Sequence, residues 1–428
     1  MKNKSITIIG SGINSYFFIK MLLDREIQIN LIDVNIDEYK TEEVDTSFKN
    51  DMSPKIALNN FYQNISEFKK LNNLSYKNFD TQSALGLGGL SNIWGGTVYE
   101  FNNDELSKNN LQDINLYNYI KFLKDEDLIL KKPEIDEYFE KNIDQNNFQI
   151  QYNKHLISKN NAPFSVKHKI KDLIKKKKVK FISGFVENIR KKDNGYELSI
   201  KNKNKVEKFF DYKVVLGTGS LGTTKLLMQL MNIKKIKLLC TPITQKVILS
   251  LRKEKSNSLN ALLSFNKNKT DKVISHIFPL KGIDNKFFLN TLKLNFNFLN
   301  PMINLIKPYI YGIYTYHCSD YSNITIENIN DNFFVEGKNT VKMEKKLHNF
   351  YNKYLIKLPL TSKFLLQGND NHIGGSFPLK NYFNNYNELI NFKNLFVIDG
   401  SYLNYIPPLG YTFVTILNSI RIAQKIEI

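Results

Sequence analysis

The spacing of hydrophobic residues changes twice near the N-terminus. Short β-branched runs at residues 5–10 and 27–33 predict strands, and the apolar residues of 13–23 recur with helical spacing. A strand, a helix and a second strand in this order predict a βαβ unit with parallel strands.

A second pattern predicts a small antiparallel layer between two parallel strands. Residues 179–182, 185–189, 196–200 and 206–210 are strand-like, and Asn194-Gly195 predicts a tight type I′ turn because both residues tolerate positive φ. A buried strand at 213–217 with a helix at 223–231, and another strand at 394–400 with a helix at 412–425, then return to the parallel pattern.

The middle of the chain has a different character. Residues 241–360 contain alternating strands, such as 247–251 and 323–328, and a helix at 341–356. They predict a second, sheet-based domain. The polar residues 34–80 predict a loop with a short helix, and residues 101–160 predict a largely helical insertion.

Composition narrows the classes of partner only slightly. The 428 residues include 60 Lys and Arg against 41 Asp and Glu, a net charge of +19 that favours anionic partners. The lysines are dispersed and no nucleic-acid motif accompanies them, so we expect no nucleic-acid partner. No run of 18 apolar residues occurs, which leaves at most a peripheral membrane contact.

Cysteine and histidine positions indicate no metal site. Cys240 and Cys318 belong to no ligand pattern, and both are expected to be buried thiols in a reducing compartment. The first strand begins near residue 5 and leaves no room for a signal peptide, so the expected location is cytoplasmic.

The turn after the first strand carries a dinucleotide-binding pattern. Gly10 and Gly12 lie between a strand and a helix, where main-chain N–H groups can bind a pyrophosphate. Ser15 stands where a third glycine is usual, and Asp33 is placed to accept hydrogen bonds from an adenosine ribose. These residues suit NAD and FAD equally, whereas the inserted meander is typical of flavoproteins with two dinucleotide-binding folds.

Residues 84–97, ALGLGGLSNIWGGT, contain five glycines and the only tryptophan. The stretch resembles the flavin-facing loop of the glucose-methanol-choline (GMC) oxidoreductases, and its GG-x-S-x-x-W form is most similar to the pyranose-oxidase branch. Several members attach the flavin to a histidine of this loop. Ile93 stands at the corresponding position, so the resemblance implies a non-covalent FAD.

Three further stretches resemble the same family in the same order: residues 215–227, Phe185-Val186 and residues 394–401. The resemblance implies an α/β fold, α+β overall, with a discontinuous Rossmann-like FAD-binding domain at 1–100, 161–240 and 391–428, the insertion at 101–160, and a mainly antiparallel substrate-binding domain at 241–390. The implied cofactor contacts are Gly10, Gly12, Ile13, Asn14, Asp33, Gly88, Gly89, Ser91, Asn92, Trp94, Gly95, Gly96, Val186, Gly217, Thr218, Gly219, Asp399, Gly400, Tyr411 and Thr412.

The catalytic expectation depends on residues 371–378, which resemble the family's H-x-x-G-T/S segment. The resemblance implies that His372 takes the hydroxyl proton of an alcohol while hydride passes to flavin N5, and imidazole has a suitable ordinary pKa near 6.5. The family's second catalytic position falls on Gly410, which has no side chain. Either Asn371, Asn404 or Tyr411 supplies that contact from another direction, or the chemistry differs from that of the family. His317 is a further candidate for the pocket.

The expected function is therefore FAD-dependent oxidation of an alcohol. The first expected substrate is a sugar or sugar derivative, including anionic ones, and the electron acceptor is left open. Two alternatives stay open. One is a flavin-dependent reductase fed by a pyridine nucleotide, for which no second glycine fingerprint remains. The other is a non-catalytic flavin-binding or surface-binding module.

Overall fold

The computed structural model describes residues 4–34, 62–92, 94, 96–114, 129–131, 149–150, 154–157, 164–203, 205–250, 261–266, 272–279, 305–338 and 357–427. The strands are β1 (Ser5–Ile9), β2 (Gln28–Asp33), β3 (Leu74–Lys77), β4 (Thr97–Val98), β5 (Ile129–Lys131), β6 (Gln149–Ile150), β7 (Lys154–Ile157), β8 (Lys180–Ser183), β9 (Phe185–Lys192), β10 (Gly195–Asn202), β11 (Lys205–Asp211), β12 (Val214–Leu216), β13 (Lys235–Leu238), β14 (Ile243–Ser250), β15 (Ala261–Asn266), β16 (Lys272–Pro279), β17 (Ile310–His317), β18 (Ile324–Ile329), β19 (Asn332–Gly337), β20 (Lys357–Phe364) and β21 (Leu395–Val397). The α-helices are α1 (Ile13–Leu22), α2 (Tyr62–Leu71), α3 (Asn103–Lys108), α4 (Lys167–Lys175), α5 (Ser220–Leu230), α6 (Leu379–Tyr382) and α7 (Thr412–Lys425).

A five-stranded parallel sheet joins segments from both ends and the middle of the chain, in the order β21-β12-β1-β2-β8. Ile8 of β1 pairs with Val215 of β12, and both side chains are fully buried. Strands buried on both faces are typical of parallel sheets covered by helices. The predicted α/β class, with a parallel sheet assembled from distant segments, is confirmed.

The antiparallel meander β9-β10-β11 follows β8, as predicted, but its tight turn lies one residue earlier than Asn194-Gly195. Lys192 pairs with Gly195, and the positive φ of 50° belongs to Asp193. A Cβ on Gly195 would lie 2.6 Å from the carbonyl oxygen of Asp211 on β11. The close approach of β11, which local sequence does not encode, is therefore what Gly195 permits.

The remaining described strands form separate sheets. A six-stranded antiparallel sheet has the order β20-β14-β17-β16-β15-β6, and a four-stranded sheet has the order β13-β18-β19-β3. Their mainly antiparallel pairing agrees with the expected second, sheet-based part, but β3, β6 and β13 come from outside the expected range 241–390, whose bounds stay a prediction. The predicted helix at 341–356 lies outside the described residues.

For the insertion at 101–160, the expected helical character stays a prediction, because residues 115–128 and 132–148 lie outside the described residues. Its described residues contain the helix α3 and the short strands β5, β6 and β7. β6 pairs with β15 and so extends the six-stranded sheet, while β5 and β7 form a small sheet with β4. Pairing with strands far along the chain decides this structure, because such short segments have little intrinsic preference.

The two cysteines are free and buried, as expected. Within the described ranges, no helix combines the length and apolar composition needed to cross a membrane. No cluster of His, Cys, Asp and Glu in the described part of the chain could hold a metal ion.

Candidate functional site

Two glycine turns pack against each other at the carboxyl ends of β1 and β12. A Cβ on Gly10, whose φ is +90°, would overlap the carbonyl group of Gly217. A Cβ on Gly217 would in turn overlap the hydroxyl of Ser15, which is buried and has no hydrogen-bond partner among the described residues. Gly10 is thus required by main-chain packing and Gly217 by contact with the Ser15 side chain. Ser15 meets the need for a small residue at the usual third-glycine position.

Ser11 joins the first turn to the tryptophan loop, which we define as residues 84–97. Its main-chain N–H donates to Asp33 Oδ2 at 2.7 Å, and its hydroxyl donates to the same oxygen. The N–H of Gly88 donates to Ser11 Oγ at 3.1 Å. Burial raises the pKa of Asp33, and the hydrogen bonds from Ser11 and Val34 oppose that rise. Asp33, which is expected to bind the ribose, therefore accepts hydrogen bonds from Ser11. Its carboxylate oxygens can accept further hydrogen bonds.

The tryptophan loop is held to the segment before α4 by its own side chains. Ser91 Oγ accepts from Val166 N at 3.2 Å, Asn92 Oδ1 accepts from Ser165 Oγ at 2.7 Å, and Trp94 Nε1 donates to Phe164 O at 2.7 Å. Because these polar atoms bind the protein, the loop would present main chain to a cofactor.

That main chain lies close to the first turn. A Cβ added to Gly89 would lie 3.7 Å from Gly12 Cα, and Gly96 is buried with φ of 69°. Ile93 and Gly95 lie outside the described residues.

Three helix N-termini converge beside these loops. α1 begins after Gly12, α5 after Gly219 and α7 after Tyr411, and no side chain caps any of them. Asn14 of α1 donates to Ile398 O at 2.9 Å and accepts from Thr415 of α7 at 3.2 Å. Each uncapped helix start leaves main-chain N–H groups unpaired, so the convergence favours an anion.

The space in front of these helix starts is open at two glycines. Among the described residues, no atom lies within 4 Å of a Cβ built on Gly219, and a Cβ built on Gly12 would have only Gly217 O near it, at 4.0 Å. Ile13 and Thr412 are the first residues of α1 and α7. A negatively charged pyrophosphate fits this open, donor-lined region.

The turn after β21 is stabilised internally by Asp399. One carboxylate oxygen accepts from Thr223 Oγ1 at 2.5 Å, and the other accepts from Ser401 N and Oγ. Thr218 Oγ1 lies 2.9 Å from Thr223 Oγ1. Asp399 and Thr218 therefore shape the turns, and burial raises the pKa of Asp399. Val186, one of the implied cofactor contacts, is buried in β9.

His372 lies beside the start of α7. Its ring centroid is 6.3 Å from that of Tyr411, whose hydroxyl donates to Ile373 O and lies 3.3 Å from Ser220 Oγ of α5. A Cβ on Gly400 would lie 2.5 Å from the Tyr411 ring. The imidazole is therefore adjacent to the convergent helix starts, and 26% of its side chain is exposed.

The environment of His372 favours a neutral ring. Burial lowers the pKa of His372, and the Asp370 carboxylate raises it by a smaller amount. Tyr316 of β17 faces the ring at a centroid distance of 6.4 Å. A neutral, partly exposed imidazole is suited to accept a proton near neutral pH.

Gly410 covers one face of the imidazole. A Cβ at Gly410 would lie 2.5 Å from Nε2, 2.6 Å from Cδ2 and 2.8 Å from Cε1 of His372. Three such similar distances put that point over the ring face, because a point along the Nε2 lone pair would be much farther from both carbons. The glycine at the family's second catalytic position is thus required by the His372 ring itself.

The other candidate substrate contacts lie apart from the ring. Asn371 binds Gln82 through both ends of its amide, at 2.8 and 3.1 Å. Asn404 donates to Lys108 O at 3.0 Å. His317 follows Tyr316 on β17, so it points to the opposite sheet face, and its ring contacts Tyr321.

Sequence reasoning missed three residues that the fold brings to the site. Asp370 lies two residues before His372 and had a local signal, the D-x-H pattern. Thr241 and Tyr316 had none, because they lie 131 and 56 residues from His372 along the chain.

Comparison with known proteins adds the fold. No protein-family model matches the sequence, and no curated protein matches it. A crystal structure of pyridoxine 4-oxidase from Mesorbium loti is similar over 99% of both chains, with a TM-score of 0.64 and 11% sequence identity. The chain has a GMC-like fold. At 11% identity the likeness establishes the fold alone, and the chemistry has to be argued from the site.

Proposed function

We propose that this protein is an FAD-dependent oxidoreductase of the GMC type that oxidises an alcohol group, with His372 as the general base. The observation that carries the proposal is the position of the imidazole. The imidazole lies beside the ring of Tyr411, which directly precedes α7. The Tyr411 hydroxyl lies close to Ser220, the first residue of α5. A reactive base beside a dinucleotide-binding region is what a flavin-dependent oxidation requires.

The residues present fit a non-covalent FAD. The unpaired N–H groups at the starts of α1, α5 and α7 would hold the pyrophosphate, and Gly12 and Gly219 leave the space for it. The tryptophan loop would contribute main chain from Gly88 and Gly89. FAD, when bound, supplies a hydride acceptor at its N5 atom.

The part of His372 is to accept the hydroxyl proton of the alcohol. Burial lowers its pKa, so the ring is neutral at pH 7 and can take a proton. Gly410 lies over the ring face and leaves the in-plane lone pair of Nε2 uncovered. A positioned base contributes roughly 10²–10⁴-fold to the rate.

The proposed substrate is a sugar or sugar derivative, with anionic sugars included because of the net charge of +19. The Tyr316 ring faces His372, and an aromatic face beside the base offers an apolar surface to a flat or ring-shaped alcohol. Pyridoxine, after which the structurally similar oxidase is named, therefore belongs in the same substrate panel. The electron acceptor is not assigned.

Absorption spectroscopy tests the cofactor first. Purified protein is expected to be yellow and to release FAD on heating, and a colourless protein that takes up no added FAD would refute the proposal. Anaerobic bleaching of the bound flavin by sugars, sugar phosphates, sugar nucleotides and pyridoxine then identifies the alcohol. A His372→Asn variant should keep the flavin and bleach at least about 10²-fold more slowly.

Two results would favour the alternatives. Rapid bleaching by NADPH in the absence of any alcohol would indicate a reductase. Unchanged bleaching in the His372→Asn variant would remove His372 from the reaction. A yellow protein that no alcohol and no pyridine nucleotide bleaches would indicate a non-catalytic flavin-binding module.

A further inference from the structure

Asp370, Thr241 and His372 form a chain of hydrogen bonds behind the imidazole. Thr241 Oγ1 lies 2.5 Å from Asp370 Oδ2 and 3.1 Å from His372 Nδ1. Asp370 Oδ2 and His372 Nδ1 are 3.8 Å apart, which is beyond hydrogen-bonding distance. The hydroxyl of Thr241 is therefore the group that connects the carboxylate to the ring.

The acceptors around Thr241 determine where its single hydrogen points. Asp370 Oδ2 also accepts from Thr241 N at 2.7 Å and from His372 N at 3.3 Å, so this oxygen is an acceptor and carries no proton. The short contact between Thr241 Oγ1 and Oδ2 needs a hydrogen between the two oxygens, and Oδ2 carries none. The Thr241 hydroxyl therefore donates its single hydrogen to Oδ2. Its lone pairs face Nδ1, and a favourable contact there requires an N–H on Nδ1.

We propose that Thr241, oriented by Asp370, is a positioning residue that holds His372 in the tautomer with its proton on Nδ1. Nε2 then carries the lone pair, and Gly410 lies over the ring face and not along the in-plane direction of that lone pair. The tautomer follows from the hydrogen bonds alone. Its use to accept a substrate proton rests on the proposed function.

The charge state of Asp370 does not alter this assignment. Its side chain is fully buried, and Oδ1 has no hydrogen-bond partner among the described residues. Burial raises the pKa of Asp370, but a proton added to the carboxyl would bind Oδ1 because Oδ2 already accepts from several donors. In both charge states Oδ2 accepts the Thr241 hydrogen.

The carboxylate and the hydroxyl have separable effects. The titratable groups that face the His372 ring from the described residues are Asp370, Tyr316 and Tyr411. Burial raises the pKa of both tyrosines, so they are neutral near pH 7. Among these groups the carboxylate therefore acts on the pKa of the ring, opposing the larger effect of burial, and the hydroxyl acts on its tautomer.

NMR of full-length protein with ¹⁵N-labelled histidine tests the proposal without any substrate. The ring nitrogen shifts distinguish the two neutral tautomers, and the six histidines are sorted by comparison with His372→Asn. Wild-type protein is expected to show an Nδ1–H tautomer for His372. A dominant Nε2–H tautomer would overturn the proposal.

Two variants at Thr241 separate the hydroxyl from a packing effect. Thr241→Ser keeps the hydroxyl and should keep the tautomer, whereas Thr241→Val keeps the shape, removes the acceptor and should give a mixture of both tautomers. A pure Nδ1–H signal in a folded Thr241→Val protein would show that the hydroxyl does not position the ring. Where an alcohol substrate is found, Thr241→Val should slow flavin reduction about tenfold or more, and Thr241→Ser should restore most of it.

Asp370→Asn provides the complementary variant. Its amide oxygen can still accept from Thr241, so the tautomer should persist. The pKa of His372, titrated through the same signals, should fall because the negative charge that raised it has gone. An increase in the pKa of His372 would contradict the assignment of Asp370 as the charge that raises it. Failure to find an alcohol substrate would defeat the proposed function and leave these NMR results unaffected.

Discussion

Replacing Gly410 by alanine would introduce a methyl group against the ring of His372. The added Cβ would lie 2.5–2.8 Å from three ring atoms, well inside van der Waals contact, at a residue whose φ is +85°. The left-handed backbone costs roughly 1–2 kcal/mol for a residue with a side chain. Overpacking adds typically about 1–3 kcal/mol, so the expected loss of unfolding free energy is about 2–5 kcal/mol.

A double-mutant cycle separates these two contributions. In a His372→Ala background the ring is absent, so Gly410→Ala should cost only the backbone part, roughly 1–2 kcal/mol. Gly219→Ala provides a control for backbone strain, because φ is +77° and no atom of the part of the chain that the structure describes lies within 4 Å of the added Cβ. The unfolding free energy of the Gly219→Ala variant should be compared with that of wild-type protein after the cofactor has been removed from both.

Urea unfolding, followed by Trp94 fluorescence and by circular dichroism, measures the cycle. The Trp94 side chain binds Phe164 and should report loss of the tryptophan loop, while circular dichroism reports the whole fold. Equal costs of Gly410→Ala in the wild-type and His372→Ala backgrounds would refute the reasoning. That result would mean that the imidazole does not occupy the space beside Gly410.

The remaining predictions concern pH, the turn at Ser11 and the thiols. Burial lowers the pKa of His317 from 6.5 to about 4, so the unfolded chain binds more protons and stability should fall by about 3 kcal/mol as pH drops from 6.5 to 4. His317→Phe should lose that part of the slope in urea unfolding at several pH values, and an unchanged slope would count against it. Ser11→Ala deprives Asp33 and the Gly88 N–H of a partner and should lower the unfolding midpoint by the equivalent of about 1–3 kcal/mol; an unshifted midpoint would contradict this. Cys240 is buried and its pKa is raised, so a disulfide reagent should label it only after unfolding, and labelling within minutes in native protein would disprove that burial.

Sequence alone determined the parts of this protein that depend on neighbouring residues. The βαβ unit, the meander and the final helix followed from apolar spacing, and α7 begins and ends at the predicted residues 412 and 425. The glycine turn at Gly10 was also readable, because a positive φ restricts the residue type locally. The parallel sheet and its first glycine turn could therefore be predicted before any coordinates.

Tertiary structure alone decided the surroundings of the base. Thr241 reaches His372 across 131 residues, and Ser11 joins the tryptophan loop across 77. The sequence identified Gly410 as a departure from the family, but only the fold shows that the His372 ring needs a glycine there. Short strands such as β6 likewise took their structure from distant partners. The physical reason is that local preferences act over a few residues, whereas packing and hydrogen bonds between distant segments exist only once the chain has folded.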